Sequence, residues 1–476
     1  MCTSIMAGKT ATKENVILLA RNEDFTNNIW NKYLTYRSFP EYYNPENSNT
    51  VVTDGIWTLG NGLQVPVPEN AFSYSAIPDF AAYQEASRNI SERFFFEERG
   101  INSQNVAVSA TNSMPDINDK VKTLDPFVSP GIEEAIIPTL ILPQVTSAKH
   151  AVLALADYIT MYGAAEGNGI LFGDPKESWY MEIGSGHHWI AVKIPDDKYL
   201  AVANGLRIHS INIDNTAEVL HSCNLFEFVV DNNLLDNPQR TDFNFAEAFG
   251  NPGNPYNEDR IWLAQKILTP SKEQAPRQTQ YPLFLEPDEK IKIENVMTVL
   301  RATYKGTVLE GIADRPIGVT RTAESHIMLL DDTMPDELKG IIWQVISMPL
   351  GTAYMPIYAC LKEIPKDYTI GGNVYTPLSA YWSFRGLYAL SNCNDNKDII
   401  HDFWQEKEQQ FIKENPFINS TLREMYKSDK QLAITYANDY SSGILCKTVE
   451  DANTKMNEMI TKISGSTQNV DNKIRI

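Results

Sequence analysis

The sequence predicts an α+β fold. Strand-like runs cluster among helical segments instead of alternating with them, which argues against a doubly wound parallel sheet. Several of these runs are separated by only a few residues rich in Gly, Pro and Asp, the spacing of antiparallel hairpins. The 476 residues are 43% hydrophobic and 21% charged, ordinary usage for a chain with a large core.

The elements follow in order. Residues 3–7 and 15–20 are apolar, and the polar stretch 8–14 between them predicts a β-hairpin with a long loop. Such a hairpin returns Arg21-Asn22-Glu23-Asp24 to the side of Cys2. A helix is predicted over 147–162, where Ser147 is a suitable N-cap, Ala and Leu fill the interior and Gly163 can end it. Runs at 169–172, 179–183, 189–194 and 199–203 follow, broken at 173–178, 184–188 and 195–198. They predict a four-stranded antiparallel meander. Residues 231–255 are rich in Asn, Asp and Pro and read as an irregular loop. Further strands are expected at 327–330, 341–348 and 353–359, and helices at 258–268, 290–304 and through much of 399–463. With no internal repeat and no long linker, the chain reads as a single domain over 1–476. Its core is expected over about 1–384, with a helical C-terminal extension over about 385–476.

The formal net charge of −19 disfavours nucleic acid as a partner. The N-terminus lacks a basic segment followed by a long apolar one, so no secretory signal is expected. No run of about 18 apolar residues predicts a membrane span. The expected compartment is the cytoplasm, and a homo-oligomer is left open. Cys2, Cys223, Cys360, Cys393 and Cys446 are dispersed and form no CxxC pair, so neither a disulfide framework nor structural zinc is expected. No metal or cofactor is expected.

Cys2 carries the strongest chemical signal. Removal of Met1 would leave a thiol and a free α-amine on one residue. Ordinary pKa values of roughly 8.5 for a thiol and 7.7–8.0 for an α-amine make these a nucleophile and its general base. The alternative is a chance cysteine at position 2. The other four cysteines lack a terminal amine and read as buried apolar fillers. His187 and His188 are adjacent, so on a strand they would point to opposite faces and would not share an ion; they read as core or turn histidines. Ser325-His326 has no GxSxG elbow nearby, which leaves a serine hydrolase unsupported.

Cys2-Thr3 followed by Arg21-Asn22-Glu23-Asp24 resembles the opening of the peptidase C69 dipeptidases, which belong to the N-terminal nucleophile hydrolases. The choloylglycine hydrolases and penicillin V acylases share the Cys…Arg-Asn-x-Asp opening. The chain length and the segment GSGHHWIAVKIPDDKYLAVAN at 184–204 favour the dipeptidase branch, of the dipeptidase A type of lactic acid bacteria. The resemblance covers most of the chain. It implies a four-layer αββα sandwich and a cysteine-type dipeptidase that releases free amino acids through a thioester on Cys2. Two alternatives stay open: an N-acyl amide hydrolase of the acylase type, and an inactive relative that acts by binding.

Residue by residue, the resemblance implies that Arg21 positions the thiol and Asp24 orients the α-amine. A cation near a thiol also favours the thiolate. The bland alternative is a surface Arg–Asp pair. Asn204 matches an oxyanion-donating Asn of the family, with Gly205 beside it allowing close substrate approach; the alternative is an Asn-Gly turn. Asn112 matches an oxyanion Asn of the acylases, whereas many C69 dipeptidases carry Glu there. Its alternative is a strand-end residue making turn contacts. Arg260 resembles a distal supporting arginine, or else is a helix-surface residue paired with Glu258 or Asp259.

Overall fold

The computed structural model describes residues 2–24, 32–38, 51–59, 61–69, 71–78, 97–371, 374–393 and 397–473. Its strands are β1 (Thr3–Ala7), β2 (Ile17–Asp24), β3 (Thr35–Arg37), β4 (Val51–Thr53), β5 (Ile56–Thr58), β6 (Gln64–Pro66), β7 (Tyr74–Pro78), β8 (Glu97–Asn102), β9 (Ala107–Ser113), β10 (Asn168–Gly173), β11 (Ser178–Ile183), β12 (Trp189–Lys193), β13 (Tyr199–Val202), β14 (Val219–His221), β15 (Thr322–Leu330), β16 (Gly340–Ile346) and β17 (Met355–Tyr358). Its helices are α1 (Asp119–Leu124), α2 (Ile137–Ile141), α3 (Ala148–Tyr162), α4 (Leu225–Asp231), α5 (Phe245–Phe249), α6 (Pro255–Leu268), α7 (Ile293–Arg301), α8 (Ala380–Cys393), α9 (Lys397–Ser428) and α10 (Lys430–Lys473).

Two antiparallel sheets carry the molecule. One has the order β13-β1-β2-β15-β16-β17 and the other β14-β12-β11-β10-β9-β8-β7-β3. Their facing sides meet in one apolar layer, with Met6, Leu19, Met328 and Ile342 from the first sheet against Leu171, Tyr180, Ile190 and Val192 from the second. The outer face of the first sheet packs on α6–α10 through Ile5, Ala20, Ile327 and Trp343. The outer face of the second packs on α2 and α3 through Val108, Ile170, Trp179 and Met181. Both faces of each central strand are therefore buried, and the layers run α, β, β, α. This is the four-layer sandwich expected from the resemblance.

The hairpin of β1 and β2 pairs Thr3 with Asn22 and Ser4 with Arg21. Strand β2 runs on to Asp24, so the whole Arg-Asn-Glu-Asp motif lies on a strand and inherits a fixed register. Helix α3 begins and ends where expected: the Ser147 side chain accepts from the His150 N–H, and Gly163 closes the helix at φ 74°. Loss of this cap in Ser147→Ala is expected to lower unfolding free energy by about 1 kcal/mol in a urea titration, with activity unchanged.

The four-stranded meander is corrected to three strands. β10, β11 and β12 pair in succession, but β14 takes the place beside β12, and the run at 199–203 pairs with β1 in the other sheet. The crossing passes over Gly8, where a Cβ would lie 2.2 Å from the Pro195 carbonyl oxygen. Gly8 N–H also donates to Lys198 O. A glycine is thus required for the chain to change sheets at that turn. The stretch 231–255 is irregular except for α5, capped by Asn244 and held by Phe245 stacked on Phe249. The expected start of the C-terminal extension at 385 falls inside α8. Trp404, Leu422, Ala433 and Leu445 of α9 and α10 join the same hydrophobic cluster as the first sheet. Among the described residues no helix is long and apolar enough to cross a membrane.

Candidate active site

Strand periodicity sorts the hairpin residues by face. Met6 and Leu19 point into the layer between the sheets, so Cys2, Ser4 and Arg21 share that side. Ile5, Ala7, Leu18 and Ala20 face the helices, and Thr3, Asn22 and Asp24 go with them. Cys2 is 2% exposed and Arg21 fully buried. Arg21 Nη1 donates to Cys2 Sγ at 3.5 Å. Its Nε donates to Ser109 Oγ at 2.9 Å and its Nη2 to the Ala110 carbonyl at 2.5 Å, while Glu98 forms an ion pair with Nη2. Burial works to neutralise this guanidinium, but Glu98, Cys2 and Glu134 outweigh it and hold its pKa above the ordinary value. Arg21 is a fixed cation aimed at the sulfur.

A second set of groups fixes Arg21 in turn. His326 Nε2 lies 3.0 Å from Ser109 Oγ, and its Nδ1 lies 2.8 Å from Glu324. The ionised Glu324 can only accept, so His326 Nδ1–H donates to it, and the Nε2 of the neutral ring accepts the Ser109 O–H proton. Burial lowers the His326 pKa, consistent with a neutral ring. This Ser–His–Glu chain is not a serine nucleophile site. All three residues are 0% exposed, and the serine oxygen is engaged by a guanidinium. Ser109, His326 and Glu324 are positioning residues for Arg21. The sequence marked His326 only beside Ser325, as an unsupported serine hydrolase pair, and it gave no role to Ser109 or Glu324; Glu324 and His326 lie buried on β15.

Asn112 reaches the same side through a β-bulge. The pairing of β9 with β10 skips from Ala110 opposite Ile170 to Asn112 opposite Gly169. That extra residue re-aims Asn112 toward the facing sheet. Its Oδ1 accepts from Ser4 Oγ at 2.9 Å, and its Nδ2 is buried without a protein acceptor. Asn112 is the penultimate residue of β9, paired opposite Gly169 within the sheet, and its side chain bonds to Ser4 of the facing sheet instead of making a turn contact.

Asn204 follows β13. Its Oδ1 accepts from Arg260 Nη2 at 2.9 Å, and one Nδ2 hydrogen goes to the Ser113 carbonyl at 3.0 Å. Arg260 is not on the helix surface as its alternative reading had it. It is fully buried, and its Nη1 donates to the Cys2 carbonyl at 2.6 Å and to Thr3 Oγ1 at 3.0 Å. Asn257 Oδ1 also accepts from Arg260, at 3.0 Å. Burial, reinforced by the neighbouring Arg315, lowers the Arg260 pKa to about 9. One side chain thus ties the backbone of Cys2 to the amide of Asn204.

Asp24 lies on the helix side of β2, opposite to Arg21. It accepts from Thr322 Oγ1 at 2.5 Å and pairs with Arg315. The register 3↔22 and 4↔21, carried one step further, sets Cys2 opposite Glu23 and next to Asp24. Glu98, Arg315 and Asn257 were absent from the sequence reading, since nothing local in their segments marks them.

Cys2, Glu98 and Glu134 each bring a ligand-type atom within 4.8 Å of the others, as do Glu23, Glu98 and Glu324. Arg21 sits among the first group as its counter-charge. His187 and His188 belong to neither group. They occupy the turn between β11 and β12, where His187 pairs with Asp125 and His188 with Ser222. The reading of the remaining cysteines as buried fillers is corrected: Cys223 and Cys446 are exposed and Cys360 is partly exposed. Cys223 stands at a turn, Cys360 just beyond β17 and Cys446 on an exposed face within α10. The Cys393 side chain lies outside the described residues.

Two stacked antiparallel sheets between helical layers, with a buried cysteine opening an inner strand, define the fold class of the N-terminal nucleophile hydrolases. The profile of Peptidase family C69 matches residues 1–407. The chain belongs to that family and is a peptide-bond hydrolase. It is 33% identical over 398 residues to a probable dipeptidase of Latilactobacillus sakei, covering 81% of this chain and 80% of the relative. It is 31% identical to a probable dipeptidase A of Streptococcus pyogenes serotype M3, covering 83% and 84%. It is 30% identical to a probable dipeptidase B of Lactococcus lactis, covering 83% and 81%. Among solved structures, a Caenorhabditis elegans N-acylethanolamine-hydrolyzing acid amidase ortholog aligns at 15% identity over 69% of this chain and 92% of its own, with a TM-score of 0.31. A mutant conjugated bile acid hydrolase from Clostridium perfringens aligns at 13% identity over 73% and 89%, with a TM-score of 0.30.

Proposed function

We propose that the protein is a cysteine dipeptidase working by N-terminal nucleophile catalysis on Cys2. The observation that carries this reading is the fixed Arg21 guanidinium donating to the Cys2 sulfur at 3.5 Å, on the residue directly after Met1. Cleavage of the Met1–Cys2 bond frees the α-amine. That amine takes the thiol proton while Sγ attacks the peptide carbonyl. The C–N bond breaks, the leaving amine receives the proton back, and a thioester remains on Cys2. Water then attacks the thioester, gives its proton to the α-amine and releases the second amino acid. Asp24, next to Cys2 in the hairpin register, is assigned to orient the amine. Arg260 fixes the Cys2 backbone. The reading takes 1–476 as one peptidase domain.

Asn204 and Asn112 are assigned to the oxyanion. Asn204 Nδ2 keeps a second hydrogen beyond the one given to Ser113, and Arg260 locks the amide orientation. Donors held in advance need no reorganisation as charge develops. Asn204→Ala is expected to lower kcat by about 10²–10³-fold with a smaller change in KM, measured by steady-state kinetics. A panel of dipeptides assayed beside N-acyl amino acids, bile-salt conjugates and penicillin V tests the substrate class. Preferred cleavage of the dipeptides supports the reading, and preferred cleavage of the acyl amides overturns it.

A further inference from the structure

We propose that Glu134 is the anchor for the protonated α-amine of the substrate, and so the residue that makes the site select peptides with a free N-terminus. This rests on Cys2 being the nucleophile.

The distances come first. A Glu134 carboxylate oxygen, Cys2 Sγ and a Glu98 oxygen all lie within 4.8 Å of one another. In a dipeptide the α-nitrogen is roughly 2.5 Å from the carbonyl carbon, set by bonds of about 1.46 and 1.52 Å. An attacking atom stands roughly 3–3.5 Å from that carbon. A charge-assisted N–H···O contact adds about 2.7–2.9 Å. A carboxylate under 5 Å from the sulfur is within reach of the ammonium.

Exposure separates the two glutamates. Glu98 has 1% of its side chain exposed and is paired with Arg21, whereas Glu134 has 21% exposed and its Oε1 is 4.0 Å from Arg21. Glu134 is the carboxylate beside the sulfur that solvent can reach. Its Oε2 accepts from Ser113 Oγ at 2.8 Å, which fixes the group in place.

Charge and hydrogen bonding point to the same ligand. Glu166 stands behind Glu134 and accepts from its backbone N–H at 2.8 Å. Burial, and then the Glu134 carboxylate, push the Glu166 carboxyl up to about 7. An arriving ammonium would relieve that crowding of negative charge. Asn112, the neighbour of Ser113 on β9, holds a fully buried Nδ2 donor without a protein acceptor. An ammonium acceptor and a vacant carbonyl-oxygen donor thus stand on neighbouring groups. Together they match the α-ammonium, α-carbon and carbonyl that open a peptide at its free N-terminus. An N-acyl amide lacks the ammonium and brings Glu134 no further cation.

The test compares the dipeptide that wild type cleaves fastest with its des-amino analogue, in which hydrogen replaces the ammonium. Wild type is expected to prefer the free amine by on the order of 100-fold in kcat/KM. Glu134→Gln should cut kcat/KM for the dipeptide by about 10–100-fold, mainly through KM, and leave the analogue within about threefold. Glu134→Asp should retain part of the preference, because the charge remains. Iodoacetamide should still alkylate Cys2 in Glu134→Gln, no more slowly than in wild type, because removing a negative charge beside the sulfur favours the thiolate. An unchanged preference in Glu134→Gln, or equal cleavage of both compounds by wild type, overturns the proposal. The wild-type comparison decides even if Glu134→Gln fails to fold. If alkylation of Cys2 leaves dipeptide cleavage intact, the nucleophile reading itself has failed.

Discussion

Cys2→Ala is expected to lower kcat/KM for dipeptides by about 10⁴-fold or more while leaving the fold intact. The fold should hold because the removed sulfur is a small part of the packing at the end of β1. Arg21 keeps Ser109, the Ala110 carbonyl and Glu98, and Arg260 still holds the backbone carbonyl of residue 2. What disappears is the atom that forms the thioester. Because nucleophile and base act as one unit, losing either costs nearly the full enhancement. Steady-state kinetics beside thermal unfolding checks both halves. Substantial activity in Cys2→Ala would contradict the account, and a large fall in Tm would mean that Cys2 also supports the fold.

Arg21→Met should have the second-largest effect, on stability and activity together. Glu98 is 1% exposed and would lose the guanidinium that pairs with it. Breaking a buried ion pair from one side costs about 3–5 kcal/mol, because the remaining charge stays buried and uncompensated. Ser109 Oγ and the Ala110 carbonyl lose their donors as well. Activity should fall to background because the cation beside Sγ is gone. The double variant Arg21→Met/Glu98→Gln separates the two effects. It should recover part of the lost stability in denaturant titrations and none of the activity. Recovery of activity would show that Arg21 acts only by satisfying Glu98.

Much of this site was legible in the sequence because hairpin geometry is local. Apolar runs at 3–7 and 15–20 fix a register, and the register carries Arg21 back to Cys2. Helix α3 was equally legible, since Ser147 and Gly163 punctuate it with local chemistry. The partner of β13 was not legible. Residues 199–203 read as a strand, but which sheet they join depends on Gly8 clearing the Pro195 turn nearly two hundred residues away. Asn112 illustrates the same limit. Alternation along β9 would turn it away from Ser4, and the bulge that corrects this belongs to the pairing with β10. For Arg260 the sequence left two readings open, a distal supporting arginine and a surface arginine beside two acids, because helix α6 shows no clean polar face; every residue from Asn257 to Gln265 is buried. Residues that hold the site from behind, such as Glu98 and Arg315, act through tertiary contact alone.

The central claim concerns the α-amine of Cys2, and the intact mass and N-terminal sequence of the active protein test it most directly. The account predicts that the cleaving species begins at Cys2 and that material retaining Met1 is inactive. Full activity in protein whose N-terminus is quantitatively Met1 would contradict it.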